Sequence, residues 1–262
     1  MNIQQYYRKT ADISLNGSLA SLVPPSFFLL YSILSAQRVN PLLIAVPFIV
    51  YSFLCFQMFL LNKQRADDIE NTRCNYFGTG AMRFLLQSDA LIAYMPAPSL
   101  RMIIFNPQGM QIGEIRDVNM WKIRWFMPYF LDRLFPKKLG IFNDADAVEA
   151  EIIIRKAKIE IFDGNTQEKE TISFKKKGSN LIYKHRNGQY YIPRSYFHTD
   201  LQVYKGADTR IARFRKGWMP LDWAHRFKDP NTPILSFEAG VTAEEKIKIY
   251  AIFASLFQYR NH

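Results

Sequence analysis

The sequence predicts a mainly β domain whose strands surround a C-terminal helix, preceded by a two-helix transmembrane hairpin. Three observations carry this prediction. Residues 13–62 contain a single charged side chain, Arg38. Beyond them, many short runs alternate between apolar and polar residues, which is typical of half-buried strands. Near the C-terminus, residues 249–257 are apolar nearly all the way round a helix, so this helix must be buried on all sides.

The chain divides into a tail and hairpin over residues 1–62, a polar linker over residues 63–80 and one domain over residues 81–262. The stronger membrane-spanning candidate is 41–61, because about 20 apolar helical residues cross a hydrocarbon core. Pro47 is expected to kink this helix without ending it, since freed backbone groups in membrane helices find other partners.

The other apolar segment, residues 18–37, contains several serines and the pair Pro24-Pro25. It either forms a second span, or enters the membrane and returns, or lies on its surface. The short connection around Arg38, with Asn40-Pro41 beside it, favours a hairpin of two antiparallel helices.

Basic residues on both outer sides of the hairpin predict its orientation. Lys and Arg concentrate on the cytoplasmic side of membrane proteins. We therefore expect a multi-pass protein of the cell membrane whose termini and domain are cytoplasmic, with no removable signal peptide. The flanking residues are Arg8 and Lys9 before the hairpin, and Lys63, Arg65 and Arg73 after it.

The domain is expected to be an antiparallel barrel or sandwich, because it contains many strand-like runs separated by turn residues. One such turn is Asn106-Pro107-Gln108-Gly109. The predicted strands cover residues 82–86, 91–94, 101–105, 110–116, 122–126, 151–155, 158–162, 171–176, 181–184, 190–192, 201–204, 211–215 and 234–237.

A capping box predicts where the C-terminal helix begins. Thr242 is the expected N-cap and Glu245 the residue that reaches back to it, so the core helix should cover about residues 242–259. Its uniformly apolar part is about half the ~20 residues that a membrane span needs. Strands wrapped around this helix would satisfy its need for burial.

The domain resembles the tubby C-terminal-like superfamily, which includes LURP-one-related proteins and phospholipid scramblases. The resemblance rests on the hairpin at residues 105–115 and on the closing order of strands 201–204, 211–215 and 234–237 before the helix, and it covers residues 82–258. It implies a closed antiparallel barrel threaded by the hydrophobic helix. Scramblases are described with that helix as their membrane segment, whereas here a separate hairpin is the anchor, which weakens the case for carrying lipid flipping over to this chain.

Positive charge is concentrated in the second half of the domain. The net charge is +11, and residues 171–228 contain thirteen Lys and Arg against three Asp. An ordinary solvated outer face is the simpler interpretation, and the functional alternative is a surface for anionic lipid headgroups. No nucleic acid is expected, because no recognised binding motif accompanies the charge. The candidate headgroup-binding residues are Lys175, Lys176, Lys177, Lys184, Arg186, Arg210, Arg213, Arg215 and Lys216.

A second candidate surface combines aromatic and basic residues, as membrane interfaces do. Residues 121–140 either lie at the interface or pack on the barrel as a strand and a short helix, and residues 218–223 present the same choice. The candidate interface residues are Trp121, Trp125, Arg133, Lys137 and Lys138.

No enzymatic site is expected. Ser195, His198 and Asp200 have the side chains of a hydrolytic triad, but they crowd into six positions, whereas a triad needs a fixed geometry that usually comes from distant segments. No metal or cofactor is predicted, and Cys55 and Cys74 are interpreted as reduced thiols without a metal-ligand spacing.

The sequence therefore predicts a non-enzymatic, membrane-anchored binding or scaffold protein. Its partners would be the lipid bilayer and either anionic phospholipids or a membrane protein. The alternative is a lipid transport protein similar to the phospholipid scramblases, with the hairpin as the transporting element.

Overall fold

The structure, a computed structural model, forms two compact units, Met1–Asn75 and Tyr76–His262. It describes residues 1–35, 41–70, 84–97, 99–118, 137–155, 157–164, 168–178, 180–186, 188–193, 199–206 and 209–258. Several predictions lie outside the described residues, namely those on Arg38, Cys74, Trp121, Trp125, Arg133, Ser195, His198 and the strand at 122–126.

The first unit is helical. Helix α1 covers Ile3–Ser21, α2 covers Val23–Ser35 and α3 covers Pro41–Glu70. Helix α1 starts earlier than predicted because Asn2 and Gln5 form a capping box, and α2 follows after one turn residue. Helix α3 continues through Pro47 and takes up the first part of the predicted linker. Two helical stretches, of 32 and 27 residues, are therefore long and apolar enough to cross a membrane.

Helices α1 and α3 pack side by side through small residues. The Ser18 and Ser52 hydroxyls lie 2.9 Å apart, and the Ser52 hydroxyl also lies 3.0 Å from the Ser18 carbonyl oxygen, to which it donates. Further along, Gln4 Nε2 donates to the Ala66 carbonyl at 3.2 Å. The earlier residue of α1 contacts the later residue of α3, and the later residue of α1 contacts the earlier one, so the two helices are antiparallel. Small residues and hydroxyl bonds hold helices together where no hydrophobic force acts between them.

The second unit is a closed barrel of twelve antiparallel strands, in which each strand pairs with its neighbours in sequence and β12 closes on β1. The predicted fold class is confirmed. The strands β1 to β12 are Asp89–Tyr94, Arg101–Phe105, Gln111–Asp117, Lys137–Asn143, Val148–Arg155, Lys158–Asp163, Lys169–Lys177, Asn180–His185, Gly188–Pro193, Asp200–Lys205, Thr209–Arg215 and Ile234–Phe237.

Two strand predictions need correction. Phe84–Leu86 forms a 3-10 turn instead of part of a strand. Strand β4 was not predicted, because its two leading lysines and Gly140 interrupt the apolar alternation. A Cβ atom on Gly140 would lie 2.6 Å from the Phe142 ring, so the glycine makes room for that ring on the sheet.

Helix α4, Leu221–Ala224, is a single turn, and α5, Ala243–Phe257, is the predicted core helix. Its capping box is present, with the Thr242 hydroxyl accepting from Glu245 N at 3.3 Å and the Glu245 carboxylate accepting from Thr242 N at 3.1 Å. Residues 249–254 are fully buried and belong to one core cluster with the inward side chains of the strands. The barrel thus supplies the burial that the apolar helix requires.

Replacing Phe253 by Ala should destabilise the barrel by about 3–5 kcal/mol, because the substitution leaves a cavity in the core. The Phe253 ring stacks on Phe214 at 5.2 Å and on Phe257 at 5.9 Å. The measurement is denaturant unfolding in detergent, followed by circular dichroism of the β structure. The control is Leu86→Ala, whose side chain is exposed and should change stability by under ~0.5 kcal/mol. Equal effects of the two variants would contradict the core assignment.

The variant Gly17→Cys should form a disulfide with Cys55, because a Cβ atom on Gly17 lies 3.7 Å from the Cys55 sulfur. The protein would carry Cys74→Ser, and the bond would be detected by mass spectrometry after mild oxidation and digestion. The matched control is Leu19→Cys, at an exposed position of the same helix. Failure of the Gly17 variant to link faster than the Leu19 variant would rule out the α1–α3 packing.

Candidate functional site

The barrel has two ends, which differ in charge. The upper end is where α5 begins, near Gln87, whose carbonyl accepts from Lys246 Nζ at 2.7 Å. The lower end is where α5 finishes, near Lys137, whose Nζ donates to the Gln258 carbonyl at 3.4 Å. Because neighbouring strands are antiparallel, their connections alternate between these two ends.

The lower end presents a group of exposed lysines, here named the basic rim: Lys158, Lys175, Lys176 and Lys177. Strand β7 ends at Lys177, and β6 begins at Lys158, which is paired with Ser173. Side chains two residues apart on a strand face the same side, so Lys175 and Lys177 point outward together. No carboxylate of the described residues lies within ion-pair distance of Lys175, Lys176 or Lys177. Lys158 interacts electrostatically with the Glu160 carboxylate, so the unneutralised part of the rim is Lys175, Lys176 and Lys177.

Strand β11 also ends at the lower end, and it adds Arg215 and Lys216 to the charge there. The backbone N–H of Lys216 donates to the Thr199 carbonyl at 2.7 Å, which fixes the start of the connection to β12. The Lys216 side chain is exposed, whereas Nε of Arg215 is buried. Five of the nine predicted headgroup residues thus lie at one end of the barrel.

Of the other four predicted residues, three lie near the upper end, and Arg213 is neutralised by a carboxylate. Lys184 and Arg186 are exposed near the upper end. Arg210 also lies there, and its guanidinium contacts the Glu238 carboxylate at 2.7 Å. Arg213 donates two bonds to the Asp200 carboxylate, from Nε at 2.9 Å and Nη2 at 2.6 Å. The nine predicted headgroup-binding residues therefore do not form one surface, and two of the arginines among them are neutralised by carboxylates.

Two predicted interface residues, Lys137 and Lys138, open β4. The Lys137 side chain is only 2% exposed and reaches the last carbonyl groups of α5, where a cation complements the helix dipole. Lys138 faces outward and pairs with Glu151 at 2.9 Å. Neither is a free surface cation of the kind that contacts headgroups.

The upper end holds a cluster of charged residues against α5. Glu170 lies 2.9 Å from Lys248 Nζ and 3.4 Å from His185 Nδ1, and Lys205 pairs with Glu245 at 2.6 Å. Burial and the neighbouring Lys248 ammonium lower the pKa of His185. A cavity of about 260 Å³ adjoins the cluster, lined by Ile161, Asp163, Glu168, Lys169, Glu170, Arg186, Glu244, Ile247 and Lys248.

The charges of this cluster neutralise one another, so it serves to fix the first turns of α5 inside the barrel. Among the described residues, no group of three or more His, Cys, Asp or Glu side chains could hold a metal ion. Asp200, the third member of the crowded triad, is engaged by Arg213. The unneutralised surface of the basic rim is therefore the stronger candidate site.

Sequence reasoning missed Lys158 as part of this site. Lys158 lies seventeen positions before Lys175 and joins it only through the pairing of β6 with β7. The signal available in the sequence was the alternation of residues 158–162, which places Lys158 on the outer face while Ile159 and Ile161 face the core.

Comparisons with known proteins add little to this geometry. No family model matches the sequence, and no curated protein matches it. An X-ray structure of a protein from Arabidopsis thaliana matches with 12% identity and a TM-score of 0.41, over 64% of this chain and 90% of that chain. At this identity and score the likeness carries no argument about function, and the tubby-like resemblance stays a prediction.

Replacing Asp200 by Asn should lower the stability of the barrel at pH 7 by up to about 1 kcal/mol, since both members of the pair are about one-third exposed. The Arg213 guanidinium lowers the pKa of Asp200, so the pair stabilises the fold above the unfolded pKa of ~3.9, and this contribution is lost as the pH falls through the lower folded value. The difference from wild type should shrink in acid, as measured by denaturation midpoints at pH 7 and pH 3.

The matched control for this prediction is Asp222→Asn, which changes the charge equally at an exposed position. It should leave the midpoint almost unchanged at both pH values. If the Asp200→Asn and Asp222→Asn variants behave alike at pH 7, the Asp200–Arg213 pair does not stabilise the barrel.

Proposed function

We propose that this chain is a membrane-anchored, non-enzymatic binding protein whose barrel contacts anionic lipid headgroups. The observation that carries the proposal is the basic rim, in which exposed lysines gather at one barrel end without an ion-paired carboxylate among the described residues. Each basic residue close to an anionic surface contributes roughly 1 kcal/mol. Four lysines could therefore hold the barrel against an acidic leaflet.

The hairpin supports this proposal because it keeps the barrel close to a bilayer. Two apolar helical stretches are long enough to span, and the proposed topology is multi-pass in the cell membrane with both termini and the barrel in the cytoplasm. Tethering turns headgroup contact into an intramolecular step at high effective concentration, so weak contacts suffice. The cytoplasmic leaflet is also the more anionic one.

Membership of the tubby-like superfamily is part of the same proposal. Its support is architectural: a closed antiparallel barrel of twelve strands encloses a C-terminal helix with fully buried residues at its centre. Because one fold hosts many functions, the headgroup proposal rests on the basic rim and not on the architecture.

The proposal is tested by releasing the barrel from its anchor. The full chain, carrying an engineered protease site within residues 71–83, would be reconstituted in vesicles and cleaved, and the barrel retained on sedimented vesicles would be measured. We expect retention on vesicles with acidic lipid, little retention on phosphatidylcholine alone, and release as salt shortens the Debye length below ~8 Å. Release from acidic vesicles at low salt would contradict headgroup binding and would favour a membrane protein partner.

Reversing two charges of the rim should weaken retention specifically. Lys175→Glu with Lys177→Glu should reduce binding to acidic vesicles by roughly 30-fold or more, given ~1 kcal/mol per basic residue. The matched control is Lys184→Glu with Arg186→Glu, which changes the net charge equally near the other end of the barrel. An equal loss in both variants would show that only net charge matters and would refute the rim as the binding site.

A further inference from the structure

The most exposed large apolar side chains of the described barrel unit are Leu221, Leu86 and Trp218, and two of these lie three positions apart. Trp218 is 69% exposed and Leu221 is 85% exposed, and both belong to the connection between β11 and β12. An indole ring and a leucine side chain left in water near each other indicate a contact surface more often than isolated exposed residues do. Neither side chain is needed to cover the core cluster.

These side chains follow directly after the positive charge of the lower end. Lys216 is exposed two residues before Trp218, and its backbone is bonded to Thr199 at the barrel end. The basic rim lies at the same end of the barrel, where β7 turns into β8. An anionic membrane surface has charged headgroups outside and apolar acyl chains beneath them. Cations can contact the headgroups while neighbouring apolar side chains enter the boundary with the acyl chains.

The connection is held in place, so the exposure of its tip is a fixed property of the fold. Phe227 is buried and meets the Phe105 ring edge-on at 6.2 Å, so the connection leaves Lys216 at the lower end and runs along the outside of the barrel toward the upper end, where β2 finishes at Phe105. Trp223 N donates to the Pro220 carbonyl at 3.0 Å, which closes the turn that carries Leu221. A tip that is anchored on both sides loses little conformational entropy when it binds.

We propose that Trp218 and Leu221 form a membrane-insertion element that enters the interfacial layer of an anionic bilayer while the basic rim contacts the headgroups. The inference rests on the proposed function. It adds that the lower end of the barrel faces the bilayer, and that apolar contacts, which salt does not screen, contribute to membrane binding. Tryptophan is suited to this depth because its ring is apolar and its N–H group is polar.

The covalent tether allows this arrangement. Residues 71–83 are thirteen residues between α3 and the first described turn of the barrel unit, and a chain of this length reaches at most ~43 Å. The longest strand, β7, has nine residues and is ~30 Å long. Either end of the barrel can therefore reach the bilayer surface.

The test places an environment-sensitive fluorophore at position 221. The full chain with Cys55→Ser, Cys74→Ser and Leu221→Cys would be labelled and reconstituted in nanodiscs of phosphatidylcholine with phosphatidylserine. We expect a blue-shifted emission that is quenched by lipids with a nitroxide near the headgroup and is protected from iodide in water. The matched control carries the label at Val148, an exposed residue of β5 near the upper end, and should be quenched by iodide alone.

Iodide quenching at position 221 without quenching by the lipid nitroxide would overturn the insertion element. If the released barrel nevertheless stays on acidic vesicles, headgroup binding stands and only the insertion fails. If the released barrel leaves the vesicles at low salt, headgroup binding itself fails. The double variant Trp218→Ser with Leu221→Ser is an independent test, since it should lower retention on acidic vesicles at low salt by roughly tenfold, and no change would also contradict insertion.

Discussion

The barrel depends on one constraint, which is that α5 has no polar face and must be enclosed. Residues 249–254 are fully buried, and the Phe214 ring on the wall stacks on Phe253 and packs at a tilt against Phe257 on the helix. An open sheet would cover only one side of such a helix, whereas a closed antiparallel sheet covers every side and leaves no edge strand. The closure between β12 and β1 is thus a consequence of the helix inside.

The same constraint places the polar chemistry at the two ends. Charged groups that approach α5 do so where it leaves the apolar interior, with Lys248 and Glu170 at its start and Lys137 at its last carbonyl groups. Inward side chains pack on the helix along the described strands, so the interior is occupied by the protein itself. Function is therefore expected on the outer surface, where the described part of the lower end has more exposed basic residues without an ion pair than the upper end, which has Lys184 and Arg186.

Local signals in the sequence predicted the elements whose pattern is self-contained. The capping box of Thr242 and Glu245 and the alternation along β6 and β10 each specify their own structure. Strand β4 could not be predicted in this way, because Lys137 is buried only by virtue of the helix end that it meets. Gly140 is likewise explained only by the ring of Phe142 beside it.

The site was predictable in composition but not in arrangement. The sequence shows thirteen basic residues between positions 171 and 228, yet the carboxylates of Asp200 and Glu238 that neutralise Arg213 and Arg210 come from other segments through strand pairing or a close approach. Lys158 joins the rim through a pairing of the same kind. The sequence thus shows which region is rich in basic residues, whereas the strand topology decides which of them remain without a carboxylate partner and can bind an anionic ligand.

The most direct test of the account is hydrogen–deuterium exchange of the full chain in nanodiscs of neutral and of acidic lipid. The account predicts that acidic lipid slows exchange at the lower end alone, in the turn after Lys177 and in the connection after Lys216. Exchange at the upper end, including the turn after Asn106, should be the same in both lipids. Slower exchange at the upper end, or no difference between the lipids anywhere in the barrel, would contradict it.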